Sequence, residues 1–140
     1  MGIALANDVK QLVDRPNFAH LATIMPDGSP HSAPVWIGRE GDLLLVCTEA
    51  GSLKGKNTLR DPRASISIVD FVDPYSEVQI RGRVVERPDP ELRHFDAMSL
   101  KYVGKPWPYR DEESPIVLII EVMKARYSKQ PFEHMPPRTA

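Results

Sequence analysis

The sequence predicts a mainly β fold, in which six antiparallel strands form a small barrel and short helices pack against it. Turn-forming residues divide the chain into short apolar segments, because 14 of its 140 residues are proline and 8 are glycine. A short opening helix precedes three strands, a helix, two strands, a helix and a last strand. This order lacks the strand–helix alternation of a parallel α/β sheet and is typical of a small antiparallel barrel.

The six predicted strands are apolar runs bounded by turns. They span residues 18–25, 31–37, 43–48, 64–70, 75–86 and 116–127. The first two flank residues 26–29, a turn in which proline fixes φ and glycine accepts a positive φ, so we expect a hairpin. The third is apolar at consecutive positions, which predicts burial of both its faces. Within the fifth, Gly82 predicts a bulge.

Each of the three predicted helices starts at a residue whose side chain can accept a backbone N–H. The helices cover residues 7–14, 52–61 and 90–103, and the expected caps are Asn7 or Asp8, Ser52, and Asp89, respectively. We predict a single domain over residues 1–140, with its core over 17–128 and a C-terminal tail over 129–140.

Composition narrows the function classes. The net charge of −1, from 18 basic and 19 acidic residues, disfavours a general nucleic-acid binder. The single cysteine excludes an internal disulfide and a cysteine-rich zinc site. No apolar run reaches the ~18 residues of a membrane-spanning helix, and residues 1–11 lack the pattern of a secretory signal. We therefore expect a cytoplasmic protein without a membrane span.

The second predicted helix opens a basic segment. Four cations accompany the single carboxylate of Asp61: Lys54, Lys56, Arg60 and Arg63. Because a helix N-terminus presents unpaired N–H groups and the positive end of a dipole, the segment predicts a phosphate site. A solvated basic helix face is the other interpretation. The Walker A pattern is not met, since Ala50 replaces its first glycine and Asn57 its hydroxyl residue.

Aromatic residues suggest a second part of the site. Trp107 and Tyr109 lie in a loop stiffened by prolines, which suits a lid over a planar substrate and equally suits ordinary packing. Trp36 lies in a strand, where core or interface packing competes with ligand contact. Cys47 is interpreted as a small buried hydrophobic residue. No histidine has the spacing of a metal ligand, so we predict no metal site.

Three segments resemble the pyridoxamine 5′-phosphate oxidase-like family in their order along the chain. They are LATIMPDGSPHSAPVWI, LLLVCTEAGSLKGKNTLRDPRASISI and VQIRGRVVER, and the resemblance covers about residues 17–128. It implies a split β-barrel of the FMN-binding type and a homodimer with the flavin at its interface. The patterns SxKxxN from Ser52, DPRA from Asp61 and KYxGxPWP from Lys101 are similar to short enzymes that use the deazaflavin coenzyme F420.

The resemblance also implies roles for matched positions. The residues expected to hold the phosphate-bearing tail are Thr48, Ser52, Lys54, Lys56, Asn57 and Arg60, extended by Arg126 toward the glutamates of a deazaflavin. The residues whose strand runs along the cofactor ring are Ala33, Pro34, Val35 and Trp36. A partner chain is expected to bury Trp36 and the apolar final strand.

The implied activity is hydride transfer between coenzyme F420 and a small unsaturated or quinone-like substrate. Such chemistry belongs to the cofactor, so no catalytic triad is required. Pro34 stands where pyridoxamine phosphate oxidase has an arginine, and Glu77 where it has a glutamine, so we do not expect oxidation of that vitamin. The alternatives are an FMN-binding flavoprotein, or a non-catalytic carrier of flavin, haem or lipid, in which His20 or His31 would be the haem ligand.

Overall fold

The computed structural model describes residues 2–137, which form three helices and seven strands. The helices are α1 (Asn7–Asp14), α2 (Leu53–Arg60) and α3 (Arg93–Val103). The strands are β1 (Ala19–Ile24), β2 (Pro30–Val35), β3 (Gly38–Glu40), β4 (Leu43–Glu49), β5 (Arg63–Val69), β6 (Ser76–Pro88) and β7 (Pro115–Lys129). The mainly β class is confirmed. No helix of residues 2–137 is long and apolar enough to cross a membrane.

All strands belong to one antiparallel sheet with the order β2-β1-β5-β6-β7-β4-β3. The predicted count of six strands is wrong, because β3 forms where the polar residues 38–42 indicated only a turn. β3 is an edge strand of three residues that pairs with β4 alone, and Gly41 (φ 60°) makes the turn between them. Such a short polar strand has no apolar pattern to reveal it.

The inward face of the sheet and α1 enclose one core. Its largest fully buried side chains come from α1, five of the seven strands and the corner after β2: Val13, Leu21, Ile37, Leu44, Ile68, Ile80, Leu118 and Ile120. A second, smaller cluster of Leu45, Met98 and Val117 packs α3 against the other face of β4 and β7. Strand β4 is therefore buried on both faces, as its continuous apolar sequence predicted.

The ladder between β6 and β7 contains the irregularity predicted at Gly82. Arg81 pairs with Lys124, whereas Gly82 pairs with Val122, so the extra residue is Met123 on the partner strand. A β-carbon on Gly82 would lie 2.5 Å from the carbonyl oxygen of Glu121, which explains why this position is glycine.

The helix starts differ from prediction at two of three places. Helix α1 is preceded by Ala6, and neither Asn7 nor Asp8 caps it through a side chain. Helix α2 begins after Ser52, whose side chain caps it as expected. Helix α3 begins after Leu92, which adopts a left-handed φ of 58°.

The carboxylate of Asp89 nevertheless serves the start of α3 from outside the helix. It accepts the N–H groups of Arg93, His94 and Phe95 at 3.1, 3.0 and 3.2 Å. The capping chemistry predicted for Asp89 is present, but three non-helical residues separate it from the helix.

Candidate functional site

A cavity of about 410 Å³ lies between the end of β2, the middle of β4, the start of α2, and α3 with the loop that follows it. Its lining is apolar and aromatic except for one cation: Phe18, Pro34, Val35, Trp36, Cys47, Lys54, Phe95, Met98 and Trp107. Small-molecule sites are typically ~300–1,000 Å³, with apolar walls and few polar groups. The cavity therefore suits a flat, largely apolar ring that carries an anionic group.

Some of the predicted site residues meet in this cavity. Those that line it are Pro34, Val35, Trp36, Lys54 and Trp107. Those outside its lining are Ala33, Thr48, Ser52, Lys56, Asn57, Arg60 and Tyr109. The lining residues that sequence reasoning missed are Phe18, Cys47, Phe95 and Met98. An apolar pattern cannot separate the wall of a cavity from a core, because both are made of the same side chains.

The hydroxyl groups near the start of α2 are occupied by the fold itself. Ser52 Oγ accepts the N–H of Gly55 at 3.1 Å and the hydroxyl of Thr48 at 2.9 Å. It also donates to the carbonyl of Glu49 at 2.8 Å. Ser52 therefore has no hydrogen left for a ligand, and with Thr48 it shapes the helix start behind the cavity wall.

Lys54 brings positive charge into the cavity. The Ser52 cap satisfies the amide of Gly55, while the amides of Leu53 and Lys54 have no intrahelical acceptor. The partial positive charge of this helix end reinforces the ammonium group of Lys54. Lys56, two residues later, is exposed and lies outside the cavity lining.

Asn57, which the sequence predicts beside a phosphate, is buried and makes hydrogen bonds within the fold. Its side chain is 1% exposed. The amide nitrogen donates to Thr23 Oγ1 at 3.0 Å, and the amide oxygen accepts from Arg60 at 3.1 Å. Arg60 also donates to the carbonyl of Ile24. Asn57 and Arg60 therefore fasten α2 to β1.

The loop after α3 holds Trp107 over the cavity. The indole ring lies 5.5 Å from Phe95 and 6.1 Å from Trp36 between ring centroids, and its Nε1 donates to Glu112 at 3.1 Å. Asp96 accepts the backbone N–H of Trp107 at 3.0 Å and the guanidinium of Arg110 at 2.6 Å. The hydrogen bond from Arg110 lowers the pKa of Asp96. The carboxylate of Asp96 thus anchors the loop to α3.

Tyr109 takes a different place from that of Trp107. It is 62% exposed and packs edge-on against the Trp107 ring at 5.3 Å. The position of Trp107 fits the predicted role of a lid over the cavity, whereas Tyr109 packs against the Trp107 ring from outside the cavity.

Cys47, which the sequence indicates as a small buried hydrophobic residue, is partly buried and faces the cavity from β4. Burial, aided by the charge of Asp89, raises the pKa of its thiol to about 12. The thiol is therefore protonated at neutral pH and is a poor nucleophile.

A second depression of about 690 Å³ shares no lining residue with this cavity. It lies on the sheet and includes Arg126 with His20, Arg81 and Lys124. The structure therefore does not place Arg126 with the cations of α2. Among residues 2–137, no group of three His, Cys, Asp or Glu side chains could hold a metal ion.

Comparisons with known proteins agree with this architecture. The sequence profile described as pyridoxamine 5′-phosphate oxidase matches residues 5–129. A solved F420 reductase is 25% identical, covers 84% of this chain and 94% of its own, and superposes with a TM-score of 0.76. A conserved hypothetical protein from Mycobacterium tuberculosis is 22% identical, with coverages of 99% and 95% and a TM-score of 0.78.

A heme binding protein from Mycobacterium smegmatis is 26% identical, covers 89% of this chain and 55% of its own, and has a TM-score of 0.66. Among curated proteins no sequence matched. The profile match extends over most of the chain, from α1 to the end of β7, and the sheet has the matching fold. The chain therefore belongs to the pyridoxamine 5′-phosphate oxidase family.

Proposed function

We propose that the protein is an oxidoreductase that binds the deazaflavin coenzyme F420 in the aromatic cavity. It transfers a hydride between this cofactor and a small unsaturated or quinone-like substrate. The observation that carries the proposal is the position of Lys54, where the start of α2 meets a slot walled by Trp36 and Trp107. Family membership and the similarity to a solved F420 reductase support it.

The donor set of the cavity fits such a cofactor. The Lys54 ammonium and the first amides of α2 would hold a phosphate, because helix N-termini bind anions. Hydrogen bonds to a charged group are also stronger than those between neutral groups. Pro34, Val35 and Trp36 would lie along the ring, and Trp107 would cover it and exclude water. The bound cofactor itself supplies the hydride chemistry, so the protein has to bind, orient and shield.

We also propose that the protein is a homodimer. The final strand and Trp36 offer less apolar surface to a partner than the sequence suggested, because most apolar residues of β7 are buried within the chain and Trp36 packs on Tyr102. The proposal is supported by the family resemblance, and sedimentation at micromolar concentration tests it. A single species with the mass of two chains is expected, and a monomer at all concentrations contradicts it.

The main alternative is an FMN-binding flavoprotein that uses the same cavity. The deciding experiment is a parallel titration of the purified protein with coenzyme F420 and with FMN, monitored by quenching of tryptophan fluorescence. Saturable binding of F420 in preference to FMN supports the proposal. Preference for FMN supports the flavoprotein alternative. Binding of neither cofactor overturns the F420 proposal and the FMN alternative.

A haem carrier is a second candidate, favoured by the similarity to the heme binding protein. The Nδ1 atom of His31 is buried without a hydrogen-bond partner, and His20 lines the second depression. A haemin titration of wild type, His20→Ala and His31→Ala tests this candidate. Loss of the haem absorption band in one variant supports it, and an identical spectrum in both contradicts it.

A further inference from the structure

Trp36 and Ile37 form the corner between β2 and β3, and neither residue belongs to a strand. Trp36 nevertheless provides part of the cavity wall. A corner residue has no ladder hydrogen bonds to hold its backbone, so contacts from another element must fix its ring. Helix α3 provides these contacts through two consecutive residues, Lys101 and Tyr102.

Tyr102 holds the corner with both its hydroxyl and its ring. The hydroxyl oxygen accepts the N–H of Ile37 at 3.0 Å, and the hydroxyl donates to the carbonyl of Asn17. The phenol ring stacks on the Trp36 indole, with centroids 5.1 Å apart and planes only 4° from parallel. The ring of Phe18, which also lines the cavity, lies 5.9 Å away.

Lys101 completes this support from the next position of the helix. Its ammonium donates to the carbonyls of Ile37 and Val13, so α3 binds both backbone groups of Ile37. The same nitrogen lies 4.9 Å from the centroid of the Tyr102 ring. The wall of the cavity at Trp36 is therefore tied to α3, to the end of α1 and to the segment before β1.

We propose that Tyr102 is a positioning residue that fixes the plane of the Trp36 indole and thereby creates a preformed wall for the ring of the cofactor. The proposal deepens the proposed function and rests on it only for the identity of that ring. In this proposal, two residues contribute separately to cofactor binding. Tyr102 governs affinity for the ring, and Lys54 governs affinity for the phosphate.

The first arm of the test needs no cofactor. In a Trp107→Phe background, Trp36 is the only tryptophan, because the chain has 2. Tyr102→Phe keeps the stacked ring and removes the hydroxyl, whereas Tyr102→Leu removes both. We expect acrylamide quenching of Trp36 to rise in Tyr102→Phe and to rise further in Tyr102→Leu. Tyr75→Leu, at a tyrosine that packs on Phe132, is the control. Quenching equal to the parent in both Tyr102 variants overturns the proposal.

The second arm separates ring from phosphate. It uses the cofactor selected by the first titration and its phosphate-free ring fragment, which is riboflavin for FMN. Tyr102→Leu should weaken both ligands by about the same factor, roughly tenfold, whereas Lys54→Ala should weaken only the phosphorylated one. A Tyr102→Leu protein that keeps its affinity for the ring fragment overturns the proposal. If wild type binds neither ligand, the proposed function fails, and the first arm still decides whether Tyr102 positions Trp36.

Discussion

The α-carbon of Gly55 lies so close to Glu49 that an added β-carbon would sit 2.7 Å from the Glu49 carbonyl oxygen. The same β-carbon would lie 3.1 Å from Ser52 Oγ, the capping atom. We predict that Gly55→Ala lowers the free energy of unfolding by ~1–3 kcal/mol, the usual range for overpacking. Gly51→Ala is the matched control, because nothing lies within 4 Å of its β-carbon position. Equal urea midpoints for the two variants would contradict this prediction.

Lys54→Ala should weaken binding of the phosphorylated cofactor by about ten- to a hundredfold, which corresponds to ~1.5–3 kcal/mol for a charged hydrogen bond. Lys10→Ala, on α1, is the control for loss of one positive charge. The measurement is a fluorescence titration at two salt concentrations. Unchanged affinity in Lys54→Ala would remove Lys54 from the phosphate site.

Asn57→Ala should lower the free energy of unfolding. It removes the partner of the Thr23 hydroxyl and one of the two acceptors of the Arg60 guanidinium in the interface between α2 and β1. Loss of a buried partner costs ~1–3 kcal/mol, whereas Lys56→Ala, at an exposed position, should stay within ~0.5 kcal/mol of wild type. Urea unfolding measures both. A loss of cofactor affinity without loss of stability would contradict this prediction and favour a place for Asn57 beside the phosphate.

Cys47 should resist alkylation in the folded protein. Burial raises the pKa of its thiol to about 12, so the thiolate that reacts is scarce at pH 8 and increases as the pH rises. We expect iodoacetamide to modify the urea-unfolded chain much faster than the folded chain at this pH. Mass spectrometry follows the reaction, and equal rates in the two states would show that the thiol is not protected.

Lys101 predicts a pH dependence of stability with a defined sign. Burial lowers its pKa from 10.5 to about 8, against the opposing charge of Asp14, which is itself paired with Arg39. Between these values the unfolded chain binds the additional proton, so the contribution of Lys101 to stability rises with pH. Below pH 8 both states are protonated and the contribution is constant and at its lowest.

The comparison that isolates Lys101 is wild type against Lys101→Met from pH 7 to 10. The nearby phenol of Tyr102, whose pKa is raised by burial, is present in both proteins. The difference in unfolding free energy should move in favour of wild type above pH 8. Lys105→Met, at an exposed lysine, should show no such trend. If the unfolding free energies of wild type and Lys101→Met change with pH in parallel, Lys101 is not the titrating group.

The parts of the fold that the sequence predicted well depend on local patterns. The apolar run of β4, the alternation of Ile66 and Ile68 in β5, and the serine cap of α2 all carry their signal within a few residues. The parts that it missed depend on distant partners. Strand β3 exists because β4 lies beside it, and α3 starts late because Leu92 takes a left-handed turn while Asp89 reaches the helix from outside.

The candidate site shows the same limit. Sequence reasoning predicted Lys54, Trp36 and Trp107 as site residues from their distinctive chemistry, and all three line one cavity. It also placed Asn57 at the phosphate, because residues near a helix start look equivalent in sequence. The structure separates them by direction: Asn57 lies on the face of α2 that packs on β1, whereas Lys54 reaches the cavity.

The extra residue Met123 divides β7 into two segments with opposite parity. Up to Val122 the even-numbered residues face the core, and beyond Met123 the odd-numbered Ala125 and Tyr127 pack against it. Lys124 and Arg126 therefore point outward, to the second depression. Strict alternation through Met123, without the bulge, would turn both cations toward the core, whereas deletion of Met123 would remove the bulge and leave both cations outside. The one extra residue thus shifts the alternation by a single position and keeps Lys124 and Arg126 out of the apolar interior.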